Sequence, residues 1–557
     1  MAGLRTAQAA ARHRAVTPPD YSRREILDGI GAGLAATGLA GMPWASAARA
    51  HGGDGWSSGD VAHLIPTASH DRLLVKASLC RTLASPPTLD CGAKRVIGVR
   101  TGSSGRFWRF AIDGLEPGAS HDITLRDGDG ARLCDPWPLA TFPHPEARPE
   151  RLRLIAYTCG GGDESLIQGD GVALFRPLAE RRALLMRALS LQPDALIANG
   201  DQIYYDERTM VRKKPPMVIA AWQDLFDRIG LFDRTLPILG TANEDILHRI
   251  GDRQIAMLYG TLLRSTPTFM LGDDHDLFEN DEADDELVTL PPDPHMLEAA
   301  RAVQRLYCPE FLPDGNRPED LPGFTRTGEA ESYGTLRYGR LFEGLLYDTK
   351  RYVGTGGKDA VMIPPAVEAW LATRTAANDT RHLLHMPSTP IGWSAGKWGE
   401  WYPDLLDAEG RLSTAIAKPY WPQGWWTQHQ RLLAMLGAQT GRVPAILSGD
   451  LHMFSAGQIM RSGDLDFSAN PIHTIVSGPL GTGDPAYPSS ARGVLPRPPV
   501  DMQVTEGLAP VEKLGFTMID VTEDRMEMSF FAWRPPEPVE AIASLQPFHR
   551  LVLNRRS

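Results

Sequence analysis

The sequence predicts an α/β protein: two mixed β-sheets, or a single mixed sheet, flanked by helices and preceded by a small β-sandwich. Three observations predict it. Short apolar runs of strand type alternate with helical patterns from Arg151 onward, as in layered α/β domains. Two hairpin signatures, Ser332–Asp348 and Phe516–Phe531, add antiparallel strands to that pattern. Before Pro143, by contrast, the runs are short and alternate apolar with polar residues, with turn residues between them.

Taken in chain order, residues 1–50 read as a targeting segment. Tyr21-Ser-Arg-Arg-Glu-Ile-Leu27 carries a twin arginine, a mild apolar stretch runs from Gly29 to Met42, and Ala45-Ser-Ala47 and Ala48-Arg-Ala50 are of the small-x-small cleavage type. This resembles a twin-arginine export signal, although Ile26 replaces the usual Phe and Asp28 sits where Lys is common. It implies the twin-arginine machinery as a partner, a mature chain beginning near His51, and a periplasmic or secreted destination. Residues 60–148 read as the sandwich: Leu73-Leu-Val-Lys-Ala, Val96-Ile-Gly-Val-Arg and Arg106–Ile112 alternate, and Glu116-Pro-Gly118 and Asp127–Gly130 turn the chain. Pro143–Pro149 is a Pro-rich linker.

The α/β domain is expected over 150–536. Helical periodicity marks Val172–Leu191, Met217–Ile229, Ile246–Arg264, Met296–Tyr307 and Thr427–Gly437. Residues 484–500 are Pro-rich and read as a surface loop, and 537–557 as a C-terminal tail with a short helix.

Composition narrows the function. The 557 residues carry a net charge of −11, which argues against a nucleic-acid scaffold and suits a protein that keeps cations. Past the N-terminus there is no apolar run of about 18 residues, so no membrane span is expected in the mature chain. The cysteines are Cys80, Cys91, Cys134, Cys159 and Cys308. An oxidising destination would permit Cys80 to pair with Cys91 or Cys134, and the sequence leaves the connectivity open.

Four strand-like runs end in metal-ligand chemistry: Leu152–Gly162 with Cys159, Asp194–Asp206 with Asp201 and Tyr204, Thr268–Asp276 with Asp273-Asp-His-Asp276, and Ala445–His452 with Asp450 and His452. Loops at the carboxyl ends of sheet strands are where open α/β folds bind ligands. A carboxylate such as Asp201 can ligate one metal with each oxygen and bridge two. Oxygen ligands at Asp274 and Asp450 favour a hard cation such as Ca²⁺ or Mn²⁺. Thiolate, phenolate and imidazole from Cys159, Tyr204 and His452 suit a higher-valent ion such as Fe³⁺.

Cys159, Gly200-Asp-Gln-Ile-Tyr204, Asp273-Asp-His-Asp276 with Asn280-Asp281, and Ser448-Gly-Asp-Leu-His452, in that order, resemble the alkaline phosphatase D (PhoD-like) family of the calcineurin-like metallophosphatases. The resemblance covers nearly the whole chain. It implies a four-layer metallophosphatase fold with an N-terminal, fibronectin-III-like β-sandwich. It implies hydrolysis of phosphate esters, as a phosphodiesterase or alkaline phosphatase, by a water activated between two metals. The implied ligands are Cys159, Asp201, Tyr204 and His452 for Fe³⁺, and Asp201, Asp274 and Asp450 for Ca²⁺. His275 would stabilise the transition state or protonate the leaving oxygen, with Asp276 steering its ring. Gly272 stands where the family commonly has Trp, and Asp348-Thr-Lys-Arg351 where an Arg is common after the hairpin. His385 is the candidate for the middle His ligand of the broader superfamily.

Other readings stand beside this one. Two similar divalent ions, Mn²⁺ or Zn²⁺, would replace the Fe³⁺/Ca²⁺ pair if Cys159 were an ordinary buried thiol. The substrate is a small or polymeric phosphate ester, and the alternatives are a dedicated phospholipase or teichoic-acid-type phosphodiesterase, or a non-catalytic binding protein with a degenerate metal site. His385, His429 and His473 read as structural, and Trp421, Trp425 and Trp426 as core. Trp393 and Trp398 lie in a loop that could line a substrate pocket.

Overall fold

The computed structural model describes residues 55–208, 216–280, 289–323, 328–354, 357–395, 423–491, 493–498 and 502–555. The twin-arginine segment with His51, the acid run Asp281–Glu286, Trp398 and Trp421 lie outside the described residues.

The N-terminal strands are β1 (Val61–Ala68), β2 (Leu73–Leu79), β3 (Thr88–Cys91), β4 (Lys94–Ile97), β5 (Val99–Arg100), β6 (Phe107–Ile112), β7 (Ser120–Arg126) and β8 (Trp137–Ala140). They form two four-stranded sheets, ordered β1-β2-β6-β5 and β4-β3-β7-β8. The run Val96-Ile-Gly-Val-Arg, expected as one strand, breaks at Gly98 and passes from the second sheet to the first. The strands bury an alternating set that includes Leu64, Val75, Trp108, Ile123 and Trp137.

The remaining strands are β9 (Arg151–Tyr157), β10 (Ala195–Asn199), β11 (Thr268–Leu271), β12 (Tyr333–Tyr338), β13 (Phe342–Tyr347), β14 (His382–Pro387), β15 (Ala445–Ser448), β16 (Phe454–Ser462), β17 (Leu465–Asp466), β18 (Ile472–Ser477), β19 (Met502–Val511), β20 (Leu514–Thr522), β21 (Arg525–Trp533) and β22 (His549–Asn554). One sheet is ordered β11-β10-β9-β20-β21-β22. The other is ordered β12-β13-β14-β15-β18-β16-β17, with β19 paired to β16. Both expected hairpins form, β12 with β13 and β20 with β21.

Two-residue side-chain periodicity stacks these sheets into layers. Leu152, Leu154, Ala195 and Ile197 share one core with Leu384, Met386, Ala445 and Leu447 of the facing sheet. Their neighbours point outward. Ile155, Leu196 and Ala198 pack with Leu184 and Leu185 of α1 (Leu178–Ser190) and Trp222 and Leu225 of α2 (Pro216–Ile229). This core also takes Leu247 of α3 (Ala242–Gly251), and Ala302 and Val303 of α4 (Pro294–Leu306). Leu383 and Ile446 pack with Val367 and Leu371 of α5 (Pro365–Ala376) and Leu432 and Leu433 of α6 (Gln423–Gly437). The order is therefore helix, sheet, sheet, helix.

Three local expectations change. The helix expected from Val172 starts at Leu178, because Pro177 stands at its N-cap and disfavours helix in the residue before it. The run expected from Ile246 starts earlier, at Ala242, where the Thr241 side chain accepts from the Asn243 N–H; it passes through a π-helical turn over Asp252–Ala256 and ends at Tyr259. The expected C-terminal tail is structured differently: Val539–Ser544 is a short 3₁₀ turn, and β22 then pairs antiparallel with β21 at the sheet edge, satisfying its backbone there. No disulfide joins Cys80 to Cys91 or Cys134. No helix among the described residues is long and apolar enough to cross a membrane.

Candidate metal centre

Three of the four ligand-bearing strand ends share one local solution. Parallel strands β9 and β10, and β15 in the facing sheet, each run out into a turn whose ligand residue has positive φ: Cys159 at 51°, Asp201 at 58° and Asp450 at 61°. Left-handed backbone at non-glycine residues is costly and concentrates where a side chain must be aimed. The turns also pack on one another. A Cβ on Gly449 would stand 2.2 Å from the Asn199 carbonyl oxygen, so only glycine lets the β15 turn approach β10. The Thr158 hydroxyl ties the turns together, accepting from the Asp450 N–H at 3.0 Å and lying 3.2 Å from Cys159 Sγ.

All six predicted ligands converge. Asp201 Oδ2 lies 3.3 Å from Cys159 Sγ and accepts from the Tyr204 hydroxyl at 3.0 Å, and that hydroxyl lies 3.4 Å from His452 Nε2. Ligand atoms of Cys159, Asp201 and His452 all lie within 4.8 Å of one another, and so do those of Asp201, Asp273, Asp274 and Asp450. Asp201 thus belongs to a thiol–phenol–imidazole set and to a carboxylate set. Asp273 is an addition: it stands in the sequence motif, in which Asp274 is the expected ligand.

The residues fit a bound cation. Asp201 Oδ1 and both Asp273 carboxylate oxygens are buried and accept no hydrogen bond. Burial, reinforced by neighbouring carboxylates, pushes the Asp201 and Asp273 carboxyls well up from their ordinary range, with Lys350 partly offsetting the effect at Asp273. Burial likewise pushes the Cys159 thiol and the Tyr204 phenol up. So dense a set of buried acids is stable in its charged form only with positive charge among them.

Surrounding groups orient the set. His452 Nδ1 donates to the Ala486 carbonyl at 2.7 Å, which leaves Nε2 facing Tyr204 and fixes the ring for ligation. Ala486 lies in the Pro-rich stretch read only as a surface loop. Gln254, in the π-helical turn, clamps the Tyr204 backbone from both sides: its Oε1 accepts from Tyr204 N–H at 2.7 Å and its Nε2 donates to Tyr204 O at 2.9 Å. π turns of this kind recur at functional sites, and no sequence signal announces this one.

The partner of His275 is a correction. Its Nδ1 pairs with Asp206 Oδ1 at 2.7 Å, not with Asp276. Asp276 instead accepts the backbone N–H groups of Asp201, Gln202, Ile203 and Asp273 at 2.8–3.1 Å. Its side chain turns under the β10 turn because four converging amides are there, so it holds the loop and has no oxygen left for the ring. Burial would lower the His275 pKa, but Asp206, Asp274 and Asp201 outweigh it and raise it to about 9. Asp206 closes the stretch Ala198–Asp206, and its spacing from Asp201 is the one available sequence clue.

Other candidates fall elsewhere. His385 is buried beside Tyr347 and Thr375, and burial drives its pKa down to about 3. Trp393 is buried in a small cluster with Leu451 and Met453. Trp425 is buried and donates to the Gly354 carbonyl. Gly272, where the resemblance expected Trp, has Asp348 Oδ2 and Arg351 within 3.5 Å of where a Cβ would stand, so a large side chain has no room.

The centre opens into a cavity of about 660 Å³ whose lining includes Asp201, Tyr204, Asp206, His275, Asp450 and His452. Its size is that of a small-molecule site.

The chain matches no protein-family model and no curated protein. Among solved structures it is similar to PhoD, with a TM-score of 0.53 and 14% identity over 89% of this chain and 91% of that one. The purple acid phosphatase PPD1 from yellow lupin (Lupinus luteus) seeds aligns at 13% identity and a TM-score of 0.49, over 88% of this chain and 74% of that one. The fold of this chain, helix–sheet–sheet–helix with ligand-bearing turns at one sheet edge, is the metallophosphatase fold that its sequence resemblance implied.

Proposed function

We propose that the protein is a metal-dependent phosphoric ester hydrolase acting on phosphodiesters, phosphomonoesters or both. The observation that carries this reading is the sharing of buried Asp201 between two chemically different ligand sets. Cys159, Tyr204 and His452 would hold Fe³⁺ with Asp201, and Asp274 and Asp450, joined by Asp273, would hold Ca²⁺. A pair of cations supplies Lewis acidity toward phosphoryl oxygens and activates water.

The chain's own residues then have separate tasks. His275, its Nδ1 committed to Asp206, presents Nε2 to the cavity and is placed to donate a proton to the leaving oxygen. Asp206 holds the ring, Asp276 holds the turn that carries Asp201, and Ala486 and Gln254 set the faces of His452 and Tyr204. A protein that only bound metal would need no oriented proton donor, which favours catalysis over the binding reading. Export through the twin-arginine pathway to the periplasm or beyond belongs to the same proposal, because loading two metals suits translocation after folding.

The test is hydrolysis of bis(4-nitrophenyl) phosphate and 4-nitrophenyl phosphate by protein of measured metal content. Turnover is expected with iron and calcium present. Iron ligated by Tyr204 and Cys159 should also give a visible charge-transfer band that shifts or fades in Tyr204→Phe and survives calcium chelation. A colourless, fully active preparation with two like divalent ions would replace the Fe³⁺/Ca²⁺ assignment by the Mn²⁺ or Zn²⁺ alternative.

A further inference from the structure

The cavity is lined by two unlike sets of side chains. One is the ligand cluster. The other is an apolar arc of Val172, Leu174 and Phe175, from the segment before α1, with Met217, Val218 and Trp222 of α2. We infer that this arc is the subsite for an aromatic ester group of the substrate; the inference rests on the phosphoric ester reading above.

Three observations support it. First, the arc is continuous with the reacting end: the Phe175 ring lies 4.7 Å from the Tyr204 ring, and Tyr204 lies 4.2 Å from His275. A group bonded to a phosphorus held at the centre therefore meets an aromatic wall at once, and tilted or offset rings at such spacings attract one another. Second, Val172 and Met217 are 39% and 45% exposed, although the chain has ample core to bury them. Exposed apolar side chains gathered on the lining of one cavity mark a binding surface. Third, the charges beside the arc do not invite a second anion. Asp170 is a carboxylate that caps its own loop at Val172 N–H, and Asp484 is engaged by Arg534 at 2.9 Å. A neutral, flat ester group suits this surface better than a further phosphate or a carboxylate.

The proline at the N-cap of α1 has a role here. By delaying the helix to Leu178 it leaves residues 172–175 as a loop that can face the cavity.

The experiment compares the affinities of phenylphosphonate and methylphosphonate for the protein carrying its metals, by titration calorimetry. Phenylphosphonate should bind about tenfold more tightly, since even one added methylene in an apolar pocket gives such ratios. The Val172→Ser/Met217→Ser variant changes only exposed side chains and should keep its fold. It should cut that preference roughly threefold and leave methylphosphonate binding unchanged. Trp222→Ala should cut it further where it folds. Equal affinities in the wild type, or an unchanged preference in the double variant, would overturn the subsite. Hydrolysis of bis(4-nitrophenyl) phosphate is measured on the same preparation. No turnover with the phenyl preference intact overturns the hydrolase reading and leaves the subsite standing; turnover without preference does the reverse.

Discussion

The ligand-bearing edge and the scaffold behind it bury ionisable groups in opposite ways. In the scaffold, buried charges such as Lys76 and Glu343 have a dedicated opposite. Lys76 pairs with Glu310 at 2.8 Å and also donates to carbonyls at the end of α4, and Glu343 receives Arg374 at 2.7 Å. Buried scaffold imidazoles simply stay neutral, with burial lowering His63 to about 4 and His385 and His429 to about 3. At the edge, Asp201, Asp273, Asp274 and Asp450 lie together, and the equally buried His275 is raised instead. The difference teaches that burial alone makes groups neutral. A cluster that must stay charged needs a counter-ion from outside the chain, and the histidine beside it takes its state from carboxylate partners.

Breaking the shared carboxylate should have the largest effect. Asp201→Asn is expected to lower kcat/KM by about 10⁴-fold and to deplete both metals, because cation-assisted stabilisation is lost on both sides at once. Metal analysis of the purified variant checks this, and full occupancy of both sites would sink the bridging role. Next is metal removal itself. Chelation should destabilise the wild type by about 4 kcal/mol at cation concentrations near 1,000 times Kd, read as a drop in Tm, and should hardly move Asp201→Asn.

The pedestal tests the edge from below. Asp276→Ala strands four backbone N–H groups and should cost about 3 kcal/mol in denaturant unfolding, a stability loss where a purely catalytic acid would give only a rate loss. In the scaffold, His63 titrates near 6.5 when unfolded but is lowered to about 4 when folded. Its contribution is therefore complete above about pH 6.5 and falls as pH drops toward 4, where the unfolded chain takes up a proton that the folded one refuses. His63→Gln should make the stability–pH slope in that window shallower, by something on the order of 2 kcal/mol across it. The smallest effect is expected at Asp206. Asp206→Asn should lower kcat about tenfold with KM nearly unchanged and shift the pH–rate profile, while His275→Gln, which removes the proton donor, should lose about 10³-fold. Equal losses in the two variants would make Asp206 more than a positioning residue.

By itself, the sequence determined the layered α/β class, both hairpins and the strand ends that carry the ligands. Those features rest on local patterning and on residue types adjacent in the chain: a short apolar run, then an acid, thiol or imidazole beside a Gly. The tertiary structure alone decided which side chains orient the ligands. Asp206, not Asp276, reaches His275; Gln254 and Ala486 arrive from a π turn and a Pro-rich loop; and β22 completes a sheet from a segment read as a tail. Each of these is a contact between segments separated in sequence or a choice between neighbouring carboxylates. Periodicity carries no information on such choices, because they are settled by where converging backbone amides and imidazole nitrogens lie once the two sheets have packed.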